Sequence, residues 1–435
     1  MLLIAVTAAM VVKAQTEQKI TVEQLFQLVE SNSKTLQSQK ISVEFAKKGI
    51  EVARTARLPE LSASASVSLN GDVLVTDRDF SNAQSFTAPR WGNSFALQAR
   101  QIVYAGGAIN AGISLAELQH EQAQASEQLS REQQRFIALG QFLEIFKLRN
   151  HESVITKNIE LTRNLISEIE AKFEQGVALK NDVTRYELQL ENLKLQLTKS
   201  RNQRAILNHQ LCNLLGIDAT IVPHLPADHN TFLNSVRDES SDQSLFGWQS
   251  SALASSPAIH MAQIRQKIAQ QEIKLAKSEL RPEIAITAGD NFSGPFTYDI
   301  PPLNKNINYW YLGVGIKYPI SSLFKSNKKV QRAMVNQRRA DTDRLIAAEN
   351  LNNQVQQAWT LHNQAFVELE TQKKSVELAK QNYQVVNDRY LSQLALITDM
   401  LDASNTLLNA EILEVDASIN ILFTYYRMKY IAGTL

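Results

Sequence analysis

Asp399 and Asp402, in the stretch TDMLDAS, are two carboxylates three residues apart. On a helix that step sets both near one face, where a pair can attract a cation or shape a local negative field. The same residues also fit an ordinary pattern, with Asp399 capping a helix start and Asp402 on a solvated face. The other chemistry-bearing residues point nowhere. Seven histidines form no His-Glu-x-x-His motif, and a single cysteine, Cys212, leaves no Cys-x-x-Cys and no internal disulfide. Cys212 precedes Asn213, Leu214 and Leu215 in a helical pattern and reads as a small buried hydrophobe. His224, Asp228 and His229 share a loop, a weak metal pattern that solvated polar groups also produce. Gly106-Gly107 is not a phosphate loop, because no Gly-Lys-Ser/Thr follows. The sequence therefore reads as a non-enzyme, with no cofactor and no metal site.

The bulk numbers narrow the class. In 435 residues, 45 Lys and Arg face 44 Asp and Glu, so no basic surplus points to nucleic acid. The opening MLLIAVTAAMVVKAQT is a short apolar run ending in the small-residue pattern Val12-Lys13-Ala14. It predicts a signal peptide over residues 1–14, without the usual positive start; an apolar core segment is the other reading. No later stretch approaches the roughly 18 apolar residues of a membrane helix. Any entry into a membrane must be made by strands.

The chain repeats itself. RLPE at 57–60 returns as LRPE at 280–283, each behind a helical stretch. KFEQGVALKNDV at 172–183 is echoed by RYLSQLALITDM at 389–400, which aligns Phe173 with Tyr390, Ala178 with Ala395 and Asp182 with Asp399. Two tandem units follow: repeat 1 over residues 15–217 and repeat 2 over 257–435, joined by a linker at 218–256 that carries Pro223, Pro226 and SVRDESSDQS. Each unit predicts a leading helix, Pro-Glu, two strands, a very long helix, a short break and a returning helix. The breaks, or tips, fall at about 174–182 and 391–399. Gly176 suits the first turn, Asn181 or Asp182 can cap the helix after it, and Thr398 or Asp399 can do so in the second.

Residues 107–174 contain no proline, and at 1.5 Å per residue such a helix spans about 100 Å. A helix that long needs partners along its length. Stepping by three and four from Val183 gives Tyr186, Leu190, Leu193, Leu197, Ser200, Arg204, Leu207, Leu211 and Leu214, a coiled-coil seam. Leu401, Asn405, Leu408, Ile412, Val415, Ile419, Leu422 and Tyr426 repeat it. The strands are expected at about 59–70, 93–104, 282–291 and 309–319. In LSASASVSLN, Leu61, Ala63, Ala65, Val67 and Leu69 alternate with small polar residues. In the last strand Trp310, Leu312, Val314, Ile316 and Tyr318 share one face, with Tyr311, Gly313, Gly315 and Lys317 on the other. Such alternation over about ten residues marks a membrane barrel strand or a sandwich strand with one wet face. Trp91, Tyr309, Trp310 and Tyr311 stand at strand ends, where a membrane interface would lie. Four strands cannot close a barrel, so a barrel requires several copies with cyclic symmetry.

In this arrangement the chain resembles the TolC family of bacterial outer-membrane efflux channels over nearly the whole mature length. The resemblance rests on the duplicated order, the Pro-Glu strand openings, and QIVYAGGAINA as a strand exit. Ile102 stands where the family has proline, and Pro319 in KYPISSLF keeps it. FEQGVALKNDV, TDMLDASNTLLNAE and the final IAGTL complete the set. The resemblance implies a mainly α protein with membrane β: a homotrimer whose three four-stranded contributions make one 12-stranded barrel, continued by an α-helical tunnel in the periplasm. It implies an outer-membrane location and a passive exit duct of a tripartite pump or type I secretion system. The partners it implies are a periplasmic adaptor, an inner-membrane pump and outer-membrane lipid. Linker 218–256 would form a belt around the tunnel. Asp399 and Asp402 would line the periplasmic aperture, although residues 394–396 lack a basic partner for them. Gly176, Val177, Ala178 and Leu179, with Leu394, Ala395 and Leu396, would meet the adaptor. The rival reading is a soluble periplasmic coiled-coil adaptor or scaffold.

Overall fold

The alternating stretches form one antiparallel sheet. In the computed structural model, which describes residues 17–218, 220–224, 236–237, 244–296, 301–392 and 394–435, its strands are β2 (Glu60–Leu69), β5 (Trp91–Ala105), β7 (Glu283–Gly294) and β8 (Ile307–Lys317), in that spatial order. The signal peptide expected over 1–14, and Asp228 and His229, lie outside the described residues. Leu61, Ala63 and Ala65 stand opposite Ala99, Leu97 and Phe95. Ile284, Ile286 and Ala288 stand opposite Ile316, Val314 and Leu312. The β5–β7 ladder joins the two pairs with the same parity, Ala99 to Ala288 and Phe95 to Phe292. One face is therefore apolar across all four strands. The other carries Ser62, Ser64, Gln98, Thr287 and Asn291, together with two cross-strand charge pairs.

Those pairs repeat the duplication in three dimensions. Glu60 faces Arg100 in the first strand pair and Glu283 faces Lys317 in the second. The ion pair that forms is between Arg100 and Glu283, across β5 and β7, which joins the two strand pairs. At the exit of β5, Gly106 has φ +64°, and a Cβ there would lie 2.5 Å from the Ser278 carbonyl oxygen. Only glycine lets the chain turn that tightly against its neighbour. Two short strands, β3 (Val73–Val75) and β4 (Gln84–Phe86), pair within the β2–β5 connection.

The sheet belongs to a unit formed by Ser42–Gln124 and Met261–Leu345. A second unit comprises Met1–Ile41, Ala125–His260 and Ile346–Leu435. The helices are α1 (Val22–Asn32), α2 (Lys34–Thr55), α3 (Ala108–Glu174), α4 (Lys180–Leu215), α5 (Leu245–Ser255), α6 (Pro257–Ser278), α7 (Ser322–Leu391) and α8 (Ile397–Ala432). Along the first seam Val183, Tyr186, Leu193 and Leu211 are buried. Its polar members are satisfied: Ser200 donates to the Leu148 carbonyl at 3.4 Å, and Arg204 reaches Glu152 at 2.8 Å. In the second seam Leu408, Ile419 and Leu422 are buried, and Asn405 accepts a 2.6 Å hydrogen bond from Gln189. Strand β1 (Glu17–Ile20) pairs in parallel with β6 (Thr220–Pro223), a ladder the sequence did not announce. Helix α5 packs Trp248 and Ala252 against Val355, Ala358 and Met428. Cys212 is buried, its thiol 3.4 Å from Asn208 Oδ1.

His362 is 1% exposed, edge-on to Phe366, with Nδ1 3.0 Å from the Thr424 hydroxyl. The hydroxyl donates to the Asn420 carbonyl at 2.8 Å, so its oxygen accepts from the imidazole. Burial lowers the His362 pKa to about 4 from 6.5. The unfolded chain thus takes up this proton near pH 6.5 and the folded one only near 4. Stability is lost as pH falls between those values, by roughly 3 kcal/mol at the bottom. The stability advantage of wild type over His362→Gln should shrink by that amount between about pH 7 and pH 4 in denaturant titrations. A difference independent of pH would contradict a neutral buried imidazole.

Candidate functional site

The tips are built from backbone rules. Helix α3 ends where Gly176 adopts φ +74°. Val177 and Ala178 donate to the Lys172 carbonyl at 2.9 and 3.2 Å, and Gly176 donates to Phe173 at 2.9 Å. Helix α4 then starts with Leu179 in the cap position. Leucine cannot accept the free amides, so Asp182, three residues on, reaches back and accepts from the Leu179 amide at 3.2 Å. The second tip repeats this: Leu396 takes the cap position, and Asp399 accepts from its amide at 3.1 Å. Asp182 and Asp399 are therefore third helical residues rather than N-caps. Each carboxylate lies in the first turn, near the positive end of its helix. Asp402 is exposed beside Asp399 on α8.

Val177, Leu179, Leu394 and Leu396 are exposed, between 52% and 70%, while Ala178 and Ala395 are half-buried. Beneath them Leu165, Ile169, Val183, Tyr186, Ile397 and Met400 pack into one cluster, with Tyr383 and Tyr390 against it. The two hairpin ends are thereby brought together. Lys172 stands 4.7 Å from the centroid of the Tyr390 ring, a cation–π contact between α3 and α7. The Tyr186 hydroxyl has no hydrogen-bond partner among the described residues. Burial raises the pKa of Tyr186, Tyr383 and Tyr390; Glu168 adds to the rise at Tyr383, and Asp182 and Glu168 at Tyr390. All three stay neutral phenols.

On the sheet, parity divides the four aromatics. Trp91 pairs with Leu69 and Trp310 with Asp290, both on the apolar face. Tyr309 and Tyr311 lie on the polar face. Tyr311 covers Gly289, where a Cβ would come within 2.5 Å of its ring. On the apolar face Leu61, Val67, Leu312, Val314 and Ile316 are 69–71% exposed. The outer edges of β2 and β8 have no ladder partner among the described residues. No helix among them is long and apolar enough to cross a membrane. No group of three or more His, Cys, Asp or Glu among them could hold a metal ion.

The sequence matches the family described as outer membrane efflux protein over residues 25–217 and 248–434. The chain belongs to this family. As an outer membrane efflux protein it shares its fold with solved structures at low identity. VceC, an outer membrane protein of Vibrio cholerae, is 15% identical with a TM-score of 0.76, over 95% of this chain and 96% of that one. The outer membrane channel CmeC of Campylobacter jejuni is 14% identical with a TM-score of 0.75, over 95% and 85%. The open state of the outer membrane channel MtrE of Neisseria gonorrhoeae is 16% identical with a TM-score of 0.72, over 95% and 88%. No curated protein matches the sequence. Family membership places this efflux protein in the outer membrane, and its sheet is the part of the fold suited to that solvent.

The Lys172–Tyr390 contact should be measurable in the efflux protein itself. A double-mutant cycle with Lys172→Met and Tyr390→Leu should give a coupling of about 0.5–1 kcal/mol in unfolding experiments. Strictly additive effects would contradict an energetic link between the hairpins.

Proposed function

We propose that the protein is a passive exit duct. Three copies would each contribute four strands to one 12-stranded barrel in the outer membrane, and their helical hairpins would form a periplasmic tunnel. The observation that carries this reading is the sheet, with one apolar exposed face, one polar face and two edges without a ladder partner among the described residues. In hydrocarbon each unpaired backbone group costs several kilocalories, so the edges must find partners in further copies. The work of such a duct is passage, and the reading assigns it no catalytic residue, cofactor or metal. The exposed apolar tips, Gly176 to Leu179 and Leu394 to Leu396, suit docking of a periplasmic adaptor's own hairpin. An inner-membrane pump or a type I secretion transporter would drive the cargo. Asp399 and Asp402 would ring the axis as up to six carboxylates, a trap for cations and a barrier to anions. A coiled-coil scaffold, the rival reading, has no use for the sheet.

The detergent-solubilised protein should have about three times the 48.8 kDa mass of one chain. It should also stay in membranes washed with high salt. A monomer in mild detergent, or release by salt, would contradict the reading. Replacing Asp399 and Asp402 together by alanine should raise single-channel conductance in planar bilayers or lower cation selectivity. Unchanged conductance and selectivity would remove these residues from the aperture.

A further inference from the structure

The near-zero charge of the chain hides a division. Residues Ser42–Gln124 and Met261–Leu345 hold 21 of the 45 Lys and Arg but 15 of the 44 Asp and Glu, a net +6. The remainder carries −5. Much of the excess lies on the first part of α7. Between Ser322 and Leu345 it has seven basic residues, Lys325, Lys328, Lys329, Arg332, Arg338, Arg339 and Arg344, against Asp341 and Asp343. At the helical repeat, Lys325, Lys328, Lys329, Arg332 and Arg339 fall within about 100° of arc. The buried line Ser322, Ser326 and Val330 runs along one side of that arc. Exposed apolar residues flank both: Leu323, Met334 and Leu345 lie beyond the buried line, and Phe324 and Val335 lie beside the Lys328 edge of the arc.

This arc does not serve the helix. Lys325, in the first turn, opposes the positive end of the helix dipole. Nor is the charge neutralised locally. Lys329 pairs with Glu279 at 2.7 Å, and Arg339 lies 3.8 Å from Asp343 on its own helix. Lys325, Lys328 and Arg332 are exposed and form no ion pair among the described residues. The edge of the arc next to the buried line, Lys325 and Lys329, shares a cavity of about 460 Å³ with Lys317 and Glu283. Lys317 and Glu283 belong to the polar face of the sheet. The apolar face ends instead at Ile316, followed by the exposed Tyr318, Ile320 and Phe324.

From this we infer that the arc is a basic collar lining the lumen just beyond the barrel, which favours anionic solutes as cargo. The inference rests on the duct reading, in which the polar face of the sheet is the lumen wall. Three copies would set the unpaired cations of Lys325, Lys328 and Arg332 around one axis, inside a low-dielectric wall that focuses their field. Screening at physiological salt confines the effect to solutes within about 8 Å, so the collar acts on what is inside the duct.

The test uses the full chain in planar bilayers, comparing wild type with the triple variant Lys325→Gln, Lys328→Gln, Arg332→Gln. Under a potassium chloride gradient, the chloride-to-potassium permeability ratio of the variant should fall at least about twofold. Tripolyphosphate added on the barrel side should block wild type, and the variant should need about tenfold more. Normal conductance with an unchanged ratio and unchanged block would overturn the collar. It would also be overturned if the substitutions changed only thermal stabilisation by phosphatidylglycerol vesicles, because the arc would then face lipid. A wild-type protein that forms no conducting channel would overturn the duct reading and the collar with it.

Discussion

A sheet of four strands in hydrocarbon is not a finished structure. Its inner ladders satisfy their own backbone groups, but the outer sides of β2 and β8, which have no ladder partner among the described residues, would leave two rows of donors and acceptors without water to bind them there. Everything else in the proposed assembly follows from that constraint. Edges of matched length, 10 and 11 residues, suit pairing with one another across copies. The apolar face they bound runs from Leu61 to Ile316 and is interrupted toward the Trp91 and Trp310 end by Asn93, Asp290 and Asn308. There a carboxylate meets interface rather than hydrocarbon in the barrel reading.

The helices meet a different constraint. A helix of 67 or 70 residues cannot be held by its own hydrogen bonds and must be clothed along its length. The seams of α4 and α8 supply that, and their polar members are answered one by one: Ser200 by the Leu148 carbonyl, Arg204 by Glu152, Asn405 by Gln189. Polar partners buried in a coiled-coil seam fix which residues face each other, at some cost in stability. At the tips a leucine stands where a cap would be, and Asp182 and Asp399 restore one bond each from the third position. That arrangement leaves Leu179 and Leu396 free to project, which a side chain committed to capping could not do.

Much of this was legible. The alternation in LSASASVSLN and the Trp310-to-Tyr318 stripe are period-two signals strong enough to give the strands and their faces. The step of three and four from Val183 gave the seam. Other features had no periodic signal. The β1–β6 ladder joins four-residue strands some 200 positions apart, too short for any pattern to register. The Lys172–Tyr390 contact and the buried His362–Thr424 pair are tertiary, formed by residues that look like ordinary helix surface in one dimension. Asp182 and Asp399 each accept a helix-terminal amide from the first turn, but Leu179 and Leu396 occupy the cap position itself, and a leucine there carries no capping signal. The parity of Tyr309 and Tyr311 could be read, but not the covering of Gly289 that holds Tyr311 in place.

The central claim is that other copies of the chain close the free edges of β2 and β8. Amide hydrogen exchange in bilayers reads this directly, residue by residue. If the barrel is shared, the outward amides of Glu60–Leu69 and Ile307–Lys317 should exchange as slowly as those between β5 and β7. Fast exchange along both edges, beside a protected β5–β7 ladder, would mean that each sheet stands alone and would contradict the account.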